Sequence, residues 1–197
     1  MNPVPNGAES GAARLETRRS TPARLLGAPA PGESALLRML RAAVHVPDHG
    51  RRVPFRFITI QGGAGDALGE ELVEIALARD PDAAPDVLDK DRQRFSHAPL
   101  VIAVVAVLDP DDVKIPEQER LLSAGCSCFS LLLAAQAEGF GAQWLTGWPA
   151  YDPQVLTRLG LSEHERIAGF IHIGTPTREA PERERPDPQA LLSDWKP

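Results

Sequence analysis

A group of residues suited to binding an anion lies near the start of the chain, where Arg18, Arg19 and Ser20 are consecutive. Arginine offers a planar fork of N–H donors that suits phosphate, and serine adds a short hydroxyl donor. At the end of a helix, this triplet could hold one phosphate group. The same arginines would equally suit a solvated helix end, where cations face the negative end of the helix dipole. The triplet alone therefore leaves both interpretations open.

Motifs of several other enzyme classes do not occur in the chain. It contains no G-x-S-x-G nucleophile elbow, no Walker P-loop, no H-E-x-x-H and no Cys-x-x-Cys. His45 and His49 have the spacing of a helical metal pair, but Pro47 between them interrupts the helix that would align their imidazoles. We therefore expect no metal site.

Charge and composition limit the classes of partner. The chain has 197 residues and a formal net charge of -6, which argues against a general nucleic-acid surface or an anionic membrane surface. It shows no signal-peptide pattern and no long apolar run free of charge or glycine, so we expect a cytoplasmic protein. A chain of this length with a hydrophobic content of 43% predicts a single domain, which we place at residues 13–197. Residues 1–12 lack a core pattern and are expected to form a flexible tail.

The hydrophobic periodicity predicts the elements that would position these residues. Predicted helices cover residues 12–19, 33–44, 65–80, 86–98 and 116–138, and one more follows Asp152; predicted strands cover 54–63, 99–109, 140–147 and 166–176. Glu33 or Ser34 is expected to cap the second helix. The apolar, β-branched run at 100–108 predicts a central strand covered on both faces. Together the elements predict an α+β fold with helices around a mixed sheet of about four strands.

The long helix at 116–138 contains both cysteines of the chain, Cys126 and Cys128. Two residues apart on a helix, their side chains diverge by about 200°, so they can neither form a disulfide nor share a metal. We expect both to be buried as small apolar residues. The small residues Ser123, Ala124 and Gly125 of the same helix allow close backbone approach, either at a dimer interface or in the core.

Five segments carry a more specific pattern, namely Arg18–Ser20, Arg41–Gly50, Pro54–Phe57, Ser123–Gly147 and Gly169–Pro176. In this order and at these distances they resemble the nitroreductase family of FMN-dependent oxidoreductases, and most closely its small YdjA-like branch. The resemblance spans about residues 12–190. It implies the nitroreductase-like fold and an intertwined homodimer with FMN bound at the subunit interface.

The resemblance also implies roles for particular residues. FMN would be contacted by Arg18, Arg19, Ser20, Trp144, Leu145 and Thr146 of one subunit, and by His45 and His49 from the other subunit. The nicotinamide dinucleotide would be contacted by Ala134, Ala135, Gln136, Ala137, Glu138 and Gly139. Arg24, or one of Arg178, Arg183 and Arg185, could complete the phosphate site.

The implied activity is that of an FMN-dependent NAD(P)H oxidoreductase. NADH or NADPH would deliver hydride to flavin N5, and a nitroaromatic, a quinone or a similar small molecule would accept the electrons. The cofactor carries this chemistry, so no side chain needs to act as a nucleophile. Two alternatives are other flavin chemistry on the same scaffold, such as dehalogenation or dehydrogenation, and a flavin-binding protein without efficient turnover.

The chain departs from the branch at three positions near the implied flavin site. His45 and Leu145 stand where arginine is frequent in the branch, and Val53 stands where glutamine or asparagine is common. Two cations are thereby lost or made dependent on pH. These differences bear on the donor preference and the reduction potential more than on flavin binding itself.

Overall fold

The computed structural model describes residues 11–196, so residues 1–10 of the predicted tail lie outside the described part of the chain. The helices are α1 (Gly11–Thr17), α2 (Glu33–Ala43), α3 (Gly63–Arg79), α4 (Pro85–Arg92), α5 (Glu117–Ala137) and α6 (Pro153–Arg158). The strands are β1 (Leu26–Gly27), β2 (Phe55–Gln61), β3 (Leu100–Val107), β4 (Gly141–Leu145) and β5 (Glu165–Pro176). The α+β architecture predicted from the sequence is confirmed.

The strands form one sheet in the order β1-β5-β3-β2, and β4 also pairs with β5. The long β5 strand accommodates both neighbours on one edge, with Phe170–Gly174 facing β4 and Thr175 and Pro176 facing β1. All pairings between described strands are antiparallel, whereas a mixed sheet of about four strands was expected. Side-chain alternation is the same for both strand directions, and β1 is too short to carry a pattern. The sequence pattern therefore could not predict the strand directions or the additional strand β1.

Strand β3 is the centre of the sheet, as its composition predicted. Its residues from Leu100 to Ala106 are buried. Leu100, Ile102 and Val104 pack in one core cluster with Cys128 and Leu131 of α5. The intervening residues Val101, Ala103 and Val105 pack in a second cluster, which contains α3 side chains on the opposite face of the sheet. Burial on both faces explains the continuous apolar run.

Helix α5 is long and apolar enough to cross a membrane by length and composition. Its inner face, however, contributes Cys128, Leu131 and Ala135 to the core, where they are essentially inaccessible. Packing against the sheet accounts for the apolar residues of this inner face. Other apolar residues lie on an outer face, where Leu122 is 60% exposed and Phe129 is 40% exposed.

The burial of residues on α5 tests two predictions, one about the cysteines and one about the small residues. Cys126 is exposed, so the expectation that both cysteines are buried is wrong, while Cys128 is buried and its pKa is raised to about 12 by that burial. Ser123 and Ala124 are buried within their own chain. The Ser123 hydroxyl donates to the Pro47 carbonyl at 2.7 Å. Core packing therefore holds for Ser123 and Ala124, whereas Gly125 is only half-buried.

The helix starts show where local capping rules held. Asp152 caps α6 as predicted, because its side chain accepts hydrogen bonds from the backbone N–H groups of Gln154 and Val155. At α2 the N-cap residue is Gly32, without a side-chain cap, so the predicted capping by Glu33 or Ser34 is wrong.

Candidate functional site

Residues 18–23, here called the arginine segment, are held against the first residues of β4. The Thr21 N–H donates to the Ala142 carbonyl at 3.0 Å, and the Ala23 N–H donates to Oε1 of Gln143 at 2.7 Å. The side-chain amide of Gln136, in the last turn of α5, donates to the Arg19 carbonyl. Residues 18–23 therefore run beside both the end of α5 and the start of β4.

A cavity of about 840 Å³ opens where these three parts of the chain meet. Five of the residues implicated by sequence line it together, namely Arg18, Arg19, Ala134, Gln136 and Ala137. Thr17, Thr21, Leu133 and Phe140 complete much of the wall. The cavity thus has a cationic end, formed by the arginine segment, and a largely apolar side formed by α5.

Arg18 is a cation without an acidic partner. Its Nη1 donates to the Ser20 hydroxyl at 3.2 Å, and no carboxylate of the described residues lies within ion-pair distance of it. Partial burial lowers the pKa of Arg18, and the nearby charges of Arg185, Arg19 and Arg183 lower it further. A partly desolvated cation among other cations is stabilised by an incoming anion, so this end of the cavity suits an anionic ligand.

The arginines that follow β5 take part in this cluster. Arg185 donates from Nη2 to the Arg18 carbonyl at 3.3 Å, and both Arg183 and Arg185 act electrostatically on Arg18. These are two of the four arginines that the sequence offered as candidates for completing the site. Arg24, another of them, instead lies near His97, where burial lowers the pKa of the imidazole and the charge of Arg24 lowers it further.

Glu182 is a site residue that the sequence did not reveal. Its Oε2 accepts from Arg19 Nη2 at 2.6 Å and from Arg19 Nε at 3.2 Å. The only available signal was its position among the alternating charges at 182–185, which does not show which distant cation it meets. Arg19 therefore has an ion-pair partner within the chain, whereas Arg18 has none among residues 11–196.

The segment implied to contact a nicotinamide dinucleotide forms the last turn of α5 and its C-terminal cap. Gly139 has a φ of 86°, as expected for a left-handed residue at this place. The Glu138 carboxylate accepts from Arg38 at 2.9 and 2.7 Å, which holds the pKa of Glu138 below its ordinary value. Gln136 is engaged with Arg19, so both polar side chains of the segment have partners inside the chain.

The two histidines lie away from the arginines. Both are exposed in the loop after α2, and neither lines the cavity. His49 Nδ1 is 2.7 Å from Glu119 Oε2, at the N-terminal end of α5. A single chain therefore does not bring His45 or His49 to the arginine segment.

The end of β4 faces a different space. Trp144 lines a second groove of about 650 Å³ with Leu122, Gly125 and Tyr151. Leu145 and Thr146 are half-buried and line neither cavity. The residues implied to contact FMN therefore divide between two places, since Arg18 and Arg19 line the cationic cavity and Trp144 lines the second groove.

Residues 15–175 match the model of the nitroreductase family. The chain belongs to this family, and the match covers β1 to β4, all but the last residue of β5, and α2 to α6. The resemblance carried by the five short segments is therefore confirmed at the level of the family.

Individual relatives extend over most of the chain. The chain is 38% identical to a "Putative NAD(P)H nitroreductase" of Haemophilus influenzae over 86% of its length and 90% of the relative. It is 36% identical to the "Putative NAD(P)H nitroreductase YdjA" of Escherichia coli K12, over 84% and 88% of the two chains. Among solved structures, a Desulfovibrio desulfuricans nitroreductase-like protein in complex with FMN matches with a TM-score of 0.72 and 22% identity, covering 96% of this chain and 99% of that one.

Proposed function

We propose that this protein is an FMN-dependent NAD(P)H oxidoreductase that reduces nitroaromatics, quinones or similar small acceptors. The observation that carries the proposal is the partly buried Arg18 guanidinium, which has no ion-pair partner in the described part of the chain, on a cavity formed by β4 and α5. Membership of the nitroreductase family supports it, as do the names of the relatives and the FMN in the Desulfovibrio structure.

The residues around Arg18 fit the anionic end of FMN. A phosphate dianion requires charge-assisted donors, which the guanidinium groups of Arg18 and Arg185 and the Ser20 hydroxyl can provide. The cavity also has a volume typical of cofactor sites, which lie between about 300 and 1,000 Å³. Its apolar side along α5 suits the less polar part of the molecule.

When bound, FMN supplies the hydride-accepting N5 atom through which electrons pass from NADH or NADPH to the acceptor. The chain's own contribution is binding and orientation. Arg18, Ser20 and Arg185 hold the phosphate, and the bond from Gln136 to the Arg19 carbonyl fixes the segment that carries Arg18 and Ser20. Trp144 offers a ring surface further along β4, and no side chain acts as a nucleophile.

A second copy of the chain completes the proposed site. The exposed face of α5 carries apolar residues at helical spacing, namely Leu122, Cys126 and Phe129. The next two positions on this face are Leu133 and Ala137, and both line the cavity. An apolar stripe that runs directly into the cavity supports the proposal that a partner covers both. His45 and His49 would then approach FMN from that partner, since they do not reach the cavity of their own chain.

Anaerobic titration of the FMN-loaded protein with NADPH and NADH tests the proposal. We expect stoichiometric bleaching of the bound flavin, followed by steady-state turnover with a nitroaromatic or a quinone. Bleaching without turnover on these acceptors, but with turnover on a halogenated substrate, would favour other flavin chemistry. Flavin that stays oxidised with both donors would show a flavin-binding protein without reductase activity, and the proposal would be wrong.

A further inference from the structure

Trp144 lies diagonally across from a glycine of the neighbouring strand. In the antiparallel register, Trp144 of β4 is opposite Ile171 of β5, so Gly169, two residues before Ile171, is on the same face of the sheet. Diagonal neighbours of this kind lie within reach of a large aromatic side chain. The indole extends over Gly169 rather than away from the sheet.

The contact is close enough to require glycine. A Cβ built on Gly169 would lie 2.0 Å from Nε1, 2.5 Å from Cδ1 and 2.9 Å from Cε2 of Trp144. All three of its nearest atoms belong to this one indole. Gly169 does not have a positive φ, so its backbone would otherwise accept an alanine. The glycine is therefore required by the position of Trp144 and not by the conformation of the strand.

A β-bulge beside the glycine supplies the hydrogen-bond acceptor that orients the indole ring. The register of β5 on β3 shifts between Val104, which faces Gly169, and Val105, which faces Ile167. Ala168 is the extra residue of this bulge, and pairing with β4 ends at Phe170. The Ala168 carbonyl accepts the indole N–H of Trp144 at 3.3 Å. One polar contact and one steric contact thus define the ring orientation.

The far edge of the indole ring lies near Gly125 of α5. A Cβ on Gly125 would be 4.0 Å from Cη2 of Trp144, which is ordinary contact distance. Between β5 and α5, 37% of the tryptophan surface remains exposed, and it lines the second groove. The indole therefore presents a fixed surface to whatever occupies that groove.

We propose that Gly169, together with the Ala168 bulge, is a positioning residue that holds Trp144 as a ring-contacting wall for the bound flavin. Glycine at 169 allows the indole to lie against the sheet, and the bulge carbonyl sets its rotation. The proposal rests on the proposed function, because it names the flavin as the ring that Trp144 contacts. It assigns a role to a residue that touches neither the phosphate end nor the cavity around Arg18.

The test is a double-mutant cycle between Gly169→Ala and Trp144→Val. Gly169→Ala is expected to displace the indole, change the near-ultraviolet circular dichroism of the free protein, weaken FMN binding up to about tenfold and reduce the quenching of bound flavin. In the Trp144→Val background, the same substitution is expected to have no effect on thermal stability or FMN affinity, because the obstructing ring has been removed. Gly63→Ala is the matched control, since a Cβ there meets no atom within 4 Å.

The outcomes separate this inference from the proposed function. A wild-type protein that does not bind FMN contradicts the proposed function, and the flavin role of Trp144 with it, whatever the variants show. If wild type binds FMN, unchanged circular dichroism and quenching in Gly169→Ala would overturn the inference alone. Equal destabilisation by Gly169→Ala with and without Trp144 would also overturn it, because the glycine would then serve only the packing of β5.

Discussion

Arg18 and Arg19 are adjacent in the chain but have opposite electrostatic environments. Arg19 Nη2 lies 2.6 Å from the Glu182 carboxylate, whereas Arg18 is surrounded by Arg19, Arg183 and Arg185 and is partly buried among them. A phosphate gains most from a cation without a counter-ion, and Arg18 has none among the described residues. The sequence offered both arginines for anion binding. The structure pairs Arg19 with Glu182 and leaves Arg18 as the stronger candidate for the phosphate.

Arg18→Ala should weaken FMN binding by about 2 kcal/mol, the scale of a charge-assisted hydrogen bond, while Arg19→Ala should cost less. Arg24→Ala, which removes a charge on the side of His97, serves as the control and should leave the affinity unchanged. Fluorescence titration with FMN measures all three. Equal losses for Arg18→Ala and Arg24→Ala would show that the effect is only one of net charge.

Glu182→Gln should strengthen FMN binding, by no more than about 1 kcal/mol, because it releases the Arg19 guanidinium from an exposed ion pair. The gain should disappear at high salt, where exposed charges are screened. Glu184→Gln provides a neighbouring control. Weaker binding in Glu182→Gln would indicate that the ion pair organises the site instead of competing with the ligand.

Gln136→Leu should raise the Kd for FMN several-fold and leave the KM for the nicotinamide donor nearly unchanged. The reason is that the Gln136 amide supports the partly buried Arg19 carbonyl, and a carbonyl left there without a donor costs at most about 1–3 kcal/mol. Gln118→Leu, an exposed position of α5, is the control. The reverse pattern, with KM raised and FMN affinity unchanged, would support direct contact between residues 134–139 and the nicotinamide dinucleotide.

Local patterns predicted much of this fold, and distant contacts account for what they missed. The β3 run and the αL position of Gly139 depend on neighbouring residues, so both could be read from the sequence. The pairing of Arg19 with Glu182 spans 163 positions and has no local signature. Cys126 was misjudged because α5 is apolar on its outer face as well, and composition cannot distinguish a face covered by the same chain from one left open.

Val53→Asn should stabilise the folded protein by about 1 kcal/mol. Val53 has a φ of 48°, a left-handed conformation that a β-branched residue adopts only with strain, and Pro54 restricts it further. Asparagine tolerates this region better. Chemical denaturation measures the change, and Val113→Asn, at an exposed valine without a positive φ, should not reproduce it. A loss of stability in Val53→Asn would contradict the strain.

His172 should make the fold sensitive to mild acid. Burial, with the charges of Arg94 and His97, lowers its pKa from 6.5 to about 4, and its Nδ1 has no hydrogen-bond partner among the described residues. Below pH 6.5 the unfolded chain binds a proton that the folded chain refuses. His172 should therefore cost the fold up to about 3 kcal/mol as pH falls from 6.5 to 4.

His172→Phe, which keeps a ring beside Phe95, should remove this part of the pH dependence, and His172→Gln is the alternative if the larger ring does not fit. His164→Phe, at an exposed histidine, should retain the wild-type profile. Free energies of unfolding measured between pH 7 and pH 4 compare wild type with the His172 and His164 variants. Parallel profiles for wild type and both His172 variants would contradict a neutral, buried imidazole.

The most direct test of the whole account is the affinity of the wild-type protein for FMN compared with riboflavin, which lacks the phosphate. If Arg18 and its neighbours grip the anionic end of the cofactor, FMN should bind at least about 30-fold more tightly at low salt. Equal affinities for the two flavins, or no binding of either, would contradict it.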